Sequence, residues 1–561
     1  MVNWDEAVTE LTAPGAPFEL TEQIVVGTPT KVFAATPNSL RELFGTARMR
    51  GDEPYLVYED ETWTYADLLE QIDGFGHALV HTYGVQPGDR VAIAMRNYPE
   101  WIAAFAAAVS VGAIAVALNA WWVTDELDYG LTDSGSCVVV ADHERVERLL
   151  PIAAKRQVQI VAVRYKGDLP DGIDRYEDVC ALGEPMPEVV IEPDDDATIL
   201  YTSGTTGFPK GAVSTHRAVL SALVGFACRA AIGGMLETQT SGDEGEEPAT
   251  DPALILCVPL FHVTGLVPVM MGTFISGARL IIMHRWNPER ALELIEREGI
   301  TQFVGVPTMS WELLESPDFG TRDTSSLVSV GGGGAPAPPE LVRKIDSGFP
   351  GARPGIGYGM TETNGLGPQN SGDNYLAKPT SAGRAAPSMD VCVIDDAGNL
   401  LGPNDRGEIC FRGPNLIRGY WNKPDATAET IVKGWLRSGD IGWIDEEGFV
   451  FVADRAKDMV LRAGENIYCA EVEAAIYEHP AVYEAAVFGV PHERLGEEVA
   501  AAIMTKPGYS IELEELRSFL AGRLAKFKIP QHVTVSTDRL PRNASGKILK
   551  RELQNQTLDR I

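Results

Sequence analysis

From residue 40 onward, short unbroken apolar runs alternate with segments whose apolar positions recur every three or four residues. Runs 90–94 (Arg-Val-Ala-Ile-Ala), 137–141 (Cys-Val-Val-Val-Ala) and 159–163 (Gln-Ile-Val-Ala-Val) read as buried strands. The stretch beginning at Trp101 and the stretch 143–150 read as helices. Strand–helix alternation of this kind predicts crossover units and a parallel sheet. It returns at 253–257, 278–282 and 303–306, which predicts a second α/β layer. Residues 1–36 are polar and proline-rich and read as an arm on the body. The segment 233–251, with several glycines and glutamates, reads as a solvated, mobile loop. Beyond residue 386 the pattern becomes short antiparallel-like strands joined by turns such as Asp396-Ala-Gly. The last hundred residues are enough for one small α+β domain, with a helix over 471–477, a strand over 485–488 and a helix over 511–524. No internal repeat is evident.

One uncharged stretch, 101–122, is as long as the roughly 20 residues that cross a bilayer. Its Ala, Gly and Val content and the central Gly112 instead predict a buried helix, a turn and the strand 113–117. The apolar fraction of 45% is ordinary for a soluble protein. Charge changes the picture more: 47 basic against 79 acidic residues give −32, which argues against nucleic acid or an anionic membrane as partner. Anionic substrates must then be met by local positive groups. Seven scattered cysteines without a paired framework, and an N-terminus with neither basic region nor apolar core, predict a reduced, cytoplasmic chain.

Against that acidic background the run 201–211, Tyr-Thr-Ser-Gly-Thr-Thr-Gly-Phe-Pro-Lys-Gly, has a distinct chemistry. Two glycines allow a sharp turn and close approach, four hydroxyls and the backbone N–H groups converge on an anion, and Lys210 adds a cation. It lies between two strands and lacks the Walker spacing, so a polyphosphate loop of another type is expected. A Gly/Thr-rich hairpin turn is the plainer reading. Further along, Pro-Leu-Phe-His-Val-Thr-Gly (259–265) follows a buried strand, and Val263, Leu266, Val267, Met270, Met271 and Phe274 share one helical face. Val-Gly-Gly-Gly-Gly-Ala-Pro (330–336) offers a bare wall against which a flat ligand can lie. Gly-Tyr-Gly-Met-Thr-Glu-Thr (357–363) brings an aromatic face, a hydroxyl and, in Glu362, a hard oxygen ligand suited to Mg²⁺. Asp440, after a turn, can accept two ribose hydroxyls, with Arg455 as its partner. Near the end, Ser-Gly-Lys-Ile-Leu-Lys (545–550) sets Lys547 on a glycine-led loop.

These motifs resemble the adenylate-forming superfamily of acyl-CoA synthetases, luciferases and amino-acid adenylation domains, most nearly its fatty-acid and aryl acyl-CoA ligases. The resemblance runs from about Leu40 to Leu553. It implies a large N-terminal domain, 1–454, of two α/β layered subdomains plus a small barrel-like β subdomain, a hinge at 455–458 around Lys457, and a mobile small α+β C-terminal domain, 459–561. It implies ATP held by Thr202, Ser203, Gly204, Thr205, Thr206, Gly207 and Lys210, by Gly334, Ala335 and Pro336, by Gly357, Tyr358, Gly359, Met360 and Thr361, and by Asp440, Arg455 and Lys547. Mg²⁺ falls to Thr205 and Glu362. The catalytic set is Lys547, Lys210, Glu362, Thr205 and His262. The acyl pocket is expected at His262, Val263, Gly331, Gly333 and Gly365, and the CoA path at Gly464 and Glu465. The implied activity is ATP-dependent carboxylic acid–CoA ligation through acyl-AMP with release of pyrophosphate. A medium- or long-chain fatty acid is the expected substrate, because Gly365 leaves room for more than acetate and no acid stands near 262 to hold an amine. An aryl or phenylpropanoid acid, transfer of the acyl group to a carrier protein, and a catalytically silent nucleotide-binding regulator are the alternatives. Cys469 receives no catalytic role, and a homodimer is left open.

Overall fold

The computed structural model describes residues 3–202, 209–241, 251–455, 458–462, 465–544 and 546–560. Two eight-stranded sheets form the body. In the first the order is Gly419–Tyr420, Lys210–Thr215, Asp196–Thr202, Ile114–Ala117, Arg90–Ala94, Val138–Asp142, Gln159–Val163 and Ile173–Arg175. Its central pairs are parallel, and Asp196–Thr202 and Lys210–Thr215 form an antiparallel pair at one side. The second sheet contains Gln369–Ser371, Arg353–Gly357, Ser329–Gly333, Gln302–Gly305, Ala253–Leu256, Arg279–Ile282, Pro54–Tyr58 and Glu61–Thr64. Parallel strands covered on both faces must be apolar throughout, and 138–142 and 253–256 are buried at every residue. The molecule is thus a mixed α/β fold with a large N-terminal and a small C-terminal domain.

The uncharged stretch 101–122 divides as the breakers predict. Helix Pro99–Ser110 lies in the core, the chain turns at Gly112 with φ +74°, and Ile114–Ala117 enters the first sheet. Only glycine takes that turn easily, and a Cβ there would stand 3.2 Å from Pro87.

The arm is more structured than its composition indicates. Helix Trp4–Thr12 and the hairpin of Leu20–Val25 with Thr28–Phe33 pack Ala7 and Phe33 onto Cys228 and Ile232. That contact explains a departure from expectation in 233–251. Helix His216–Ser241 runs on through Gly233 and Gly234, because burial of its apolar residues against the arm outweighs the weak helix propensity of two glycines. Residues 242–250 lie outside the described residues. The same helix, over His216–Leu236, is long and apolar enough to cross a membrane by length and composition. A second departure concerns 265–274. Pro268 cannot donate to the helix ladder, and Gly265–Met271 takes π-helical turns before Gly272–Ser276 resumes the α form. Val269 is therefore buried along with Leu266, Val267, Met270 and Met271, and no single face is selected.

Past residue 386, Asp390–Ile394, Gly407–Arg412, Trp435–Ile444, Ile431–Val432 and Val450–Arg455 form an antiparallel five-stranded sheet. A final sheet orders Glu465–Ile467, Val460–Arg462, Gly496–Thr505 and Val482–His492, with His532–Ser536 pairing parallel to Gly496–Thr505. Helices Cys469–Tyr477 and Leu513–Ala521 complete a separate core around Val472, Ile476, Val487, Leu516 and Leu520. Cys469 belongs to that core, its thiol donating to the Asp458 carbonyl at 3.0 Å, and burial pushes the thiol up.

One buried charge anchors the first sheet. Arg145 is 1% exposed and meets Asp142 at 2.9 Å, while Asp142 also accepts from the backbone N–H groups of Arg96 and Arg145. Removing the acid strands a buried guanidinium, so Asp142→Ala is expected to lower stability by about 3–5 kcal/mol. Denaturant unfolding followed by tryptophan fluorescence checks this, and a change below about 1 kcal/mol would show the cation re-solvated.

Candidate active site

An open cleft of about 2490 Å³ collects nearly all the described residues singled out from sequence. Thr202 and Lys210 enter it from the two strands that flank the hydroxyl-rich loop, paired in register, with Thr202 Oγ1 donating to the Lys210 carbonyl at 3.3 Å. Ser203, Gly204, Thr205, Thr206 and Gly207, like the hinge residue Lys457 and Gly464, lie outside the described residues. Glu465 is exposed on Glu465–Ile467 and is not among the residues that line the cleft.

The glycine wall forms where two strands end side by side. Ser329–Gly333 pairs parallel with Arg353–Gly357, setting Gly333 opposite Gly357. Gly331, Gly333, Gly334, Ala335 and Pro336 all face the cleft, and a Cβ on Gly333 would press to 3.2 Å from the Gly357 carbonyl. After Gly357 the chain doubles back on itself. A Cβ on Gly359 would come 2.3 Å from the Gly365 carbonyl oxygen, so the turn that presents Tyr358, Met360, Thr361 and Glu362 closes only with glycine there.

Polar contacts then tie these loops to the antiparallel sheet. Tyr358 Oη donates to Asp440 Oδ2 at 2.6 Å, and Arg455, opposite Asp440 in the ladder, approaches Oδ1 at 3.5 Å. Burial, then the Asp440 charge, holds the Tyr358 hydroxyl well above the usual phenol range, so it stays a donor. Glu362, 7% exposed, accepts from Tyr420 Oη at 2.7 Å, and the Lys210 ammonium lies 5.0 Å from the centre of the same Tyr420 ring. Tyr420 went unnoticed in the sequence. It is 58 positions from its partner, and nothing in the spacing of Arg-Gly-Tyr-Trp links it to Glu362.

Lys547 reaches the cleft from the C-terminal domain. Asn543 fixes its loop, accepting the Lys547 N–H on Oδ1 at 2.9 Å, while its own N–H donates to the Lys547 carbonyl at 2.9 Å. The side chain lies along the glycine wall: an atom at the Cβ position of Gly334 would stand 3.6 Å from Lys547 Cε. Burial and the Arg455 charge depress the ammonium's pKa, and the Asp440 and Glu362 carboxylates oppose that shift. His262 completes this end of the cleft. Its Nδ1 accepts from the Thr264 N–H at 3.3 Å, leaving Nε2 to carry the proton. Burial, then Lys547, pushes its pKa down to about 4. Val263 and Gly365 sit behind it, the latter at φ +76° with its Cβ direction pointing at Val263 and Pro268. The arrangement can grip a flat aromatic ligand and a diol at one end, place cations over anionic groups in the middle, and admit an apolar group at the other end.

The chain matches the AMP-binding enzyme family over residues 43–421 and the AMP-binding enzyme C-terminal domain over residues 471–547. It is 36% identical to a feruloyl-CoA synthase of an Amycolatopsis species over 511 residues, 91% of this chain and 97% of that protein. It is 34% identical to a long-chain-fatty-acid–CoA ligase of Bacillus subtilis over 535 residues, 90% of this chain and 91% of that one. Among solved structures it is similar to an o-succinylbenzoate CoA synthetase from Bacillus subtilis in complex with an acyl-adenylate intermediate, with TM-score 0.78, 31% identity, and 93% and 98% of the two chains covered. ATP-bound MatB from Rhodopseudomonas palustris gives 0.79 and 31%, with 93% and 99% covered.

Because the unfolded imidazole titrates near 6.5 and the folded His262 near 4, the unfolded state binds the extra proton between these values. The histidine's contribution is complete above pH 6.5 and is lost as pH falls toward 4. His262→Asn is therefore expected to make stability fall less steeply across that window, by up to about one proton. Unfolding midpoints measured from pH 7 to 4 check it, and an unchanged slope would contradict the assignment.

Proposed function

The chain belongs to the AMP-binding enzyme family as an AMP-forming acyl-CoA ligase, and from that premise we propose that it activates a medium- or long-chain fatty acid. The supporting observation is the apolar end of the cleft: Val263 and Pro268 line it, Gly365 adds no side chain, and helix His216–Ser241 contributes Phe226, Ala230, Gly233 and Gly234, with the Arg229 guanidinium held by Gln369 and the Ala385 carbonyl. An aryl acid is the second reading. The flat wall at 331–334 suits a ring, and feruloyl-CoA synthases are among the relatives.

In the first half-reaction a carboxylate oxygen attacks the α-phosphorus of ATP and pyrophosphate leaves. In the second, the CoA sulfur attacks the acyl carbon and AMP leaves. Neither step calls for a covalent acyl-enzyme. The residues act by positioning and by meeting charge as it develops. Tyr358 with 334–336 takes the adenine face. Asp440, oriented by Tyr358 and Arg455, accepts the ribose hydroxyls. Thr202, Thr361, Lys210 and the hydroxyls of 203–206 take the phosphates. Lys547 stands over the reacting carboxylate and α-phosphate, where its charge favours the in-line approach of two anions. His262, neutral, offers Nε2–H at the mouth of the acyl end.

Glu362 is a fitting Mg²⁺ ligand: a nearly buried carboxylate that, among the described residues, accepts from one phenol and keeps oxygen lone pairs for an ion. With Thr205 it would hold the ion, which would neutralise phosphate charge.

Lys547 and the CoA path are both assigned to the C-terminal domain, yet Lys547 lines the cleft and Glu465 does not. One placement serves one half-reaction. The domain turns about the segment containing Lys457 to expose the other face, as hinged enzymes do.

AMP formation across fatty and aryl acids, with and without CoA, tests the reading. A preference for fatty acids of more than a few carbons with CoA consumed supports it. Preference for hydroxycinnamic acids would transfer the assignment to the second reading, and turnover without CoA would point to a carrier protein.

Gly365 tests the pocket wall. Gly365→Ala pays only for its left-handed backbone, about 1–2 kcal/mol, since its Cβ would meet Val263 and Pro268 at ordinary contact distances of 3.6 and 3.7 Å. Gly365→Trp fills the space as well. The Trp variant is expected to lower long-acid kcat/KM at least tenfold relative to the Ala variant while sparing short acids; equal values for the two variants would remove Gly365 from the pocket.

A further inference from the structure

Strand Asp390–Ile394 runs antiparallel to Gly407–Arg412, and the register sets Cys392 directly opposite Cys410. Opposed residues in such a ladder send their side chains to one face, with Cα atoms about 4.5 or 5.5 Å apart. Either spacing lies inside the roughly 4.4–6.8 Å that a disulfide bridges. The other face of the two strands carries Val393, Ile409 and Phe411 into the core. The thiols therefore share the outer face, between the Arg412–Asp390 ion pair at 2.7 Å and the Arg437–Glu408 pair. Cys410 is 1% exposed and Cys392 partly exposed. A hydrogen bond with Cys410 holds Cys392 below the usual thiol range, and the Arg412 charge adds to this; the same bond and burial push Cys410 up. The more accessible sulfur, Cys392, is the one a small disulfide can reach, while Cys410 is sheltered and donates to the Glu408 carbonyl at 3.9 Å.

We propose that Cys392 and Cys410 form a reversible dithiol–disulfide site, closed by low-molecular-weight disulfides such as glutathione disulfide, which weakens nucleotide binding when closed. The Cys392 thiolate attacks one sulfur of glutathione disulfide, that S–S bond breaks, and one glutathione thiolate leaves. Cys410 then loses its proton to the medium and attacks the Cys392 sulfur, expelling the second glutathione. Two protein thiols are oxidised and one small disulfide is reduced to two thiols.

The link to the nucleotide runs through the neighbouring strand. Cys410 faces Arg437 on Trp435–Ile444, and Glu408 faces Ile441. Ser438, Gly439 and Asp440 thus bulge against the single residue Ile409. Ser438 Oγ donates to the Ile409 carbonyl at 2.6 Å, the Gly439 N–H to Glu408 Oε1 at 3.0 Å, and the Asp440 N–H to Ser438 Oγ at 3.0 Å. On the other side of Cys410, the Phe411 ring centre is 5.6 Å from that of Tyr358, the donor to Asp440. Drawing Cys410 toward Cys392 shifts both supports of the Asp440 carboxylate. This consequence rests on the ribose role given above to Asp440; closure of the disulfide does not.

The test incubates the whole chain with glutathione disulfide, alkylates free thiols, maps the peptides, and measures ATP KM before and after dithiothreitol. The expected result is a Cys392–Cys410 cross-linked peptide without retained glutathione, and an ATP KM raised about fivefold, the equivalent of one weakened hydrogen bond, that dithiothreitol restores. Cys410→Ser, or Cys410→Ala if serine disturbs the buried position, should trap glutathione on Cys392. Cys392→Ser should carry neither modification. Glutathione retained at Cys392 in the unmutated chain, or no cross-link between these two residues, would overturn the site. A cross-link with unchanged ATP KM would overturn its effect on the nucleotide. If reduced protein formed no AMP with any acid, the reading of function would fail while the peptide map still decided the thiol chemistry.

Discussion

The site depends on one cation delivered from a distance. Lys547 comes from the last helix-and-loop segment of the chain, yet its side chain lies along the glycine wall at Gly334, in the field of Arg455, Asp440 and Glu362. In a chain with a net charge of −32, two carboxylates facing a polyphosphate would repel it. Lys210, over Tyr420, and Lys547 are among the cations that line the cleft and offset that charge. The body carries the loops that line the cleft, with Lys210 and Arg455 among its cations, and Lys547 is added from the small domain.

The rest of the architecture makes that placement useful. Parallel strands end together and release 331–336 and 357–367 at one edge, where glycines let loop backbones pass within a distance no side chain tolerates. The antiparallel sheet presents Asp440 from a bulge, held on both flanks by hydrogen bonds to its neighbours. Paired strands therefore fix one side of the cleft, and Lys547 is brought to it by the small C-terminal domain, which has a separate core around Val472, Ile476 and Leu516.

Strands such as 90–94, 138–142 and 253–256 were legible because a strand buried on both faces needs an unbroken apolar run, a pattern few other elements share. The loops at 331–336 and 357–363 were legible because glycine at those spacings has few structural uses besides close approach. Other features had no local signal. The helix through Gly233 and Gly234 is stabilised by an arm some 200 residues earlier in the chain, and propensity cannot report a tertiary contact. The π turns at Gly265–Met271 follow from one proline inside an otherwise regular apolar stripe. Tyr420 is placed by pairing with a strand some 200 residues earlier, and the opposition of Cys392 and Cys410 by the register of two consecutive strands, neither of which a local pattern reports.

We propose that Lys547 serves the adenylation step and withdraws for the transfer step. Separate assays of the two half-reactions on Lys547→Ala address it most directly. Acid-dependent exchange between ATP and pyrophosphate should fall by orders of magnitude, while thioester formation from supplied acyl-AMP and CoA stays within a few-fold of the unmutated chain. Equal loss of both half-reactions in a folded variant would contradict the claim.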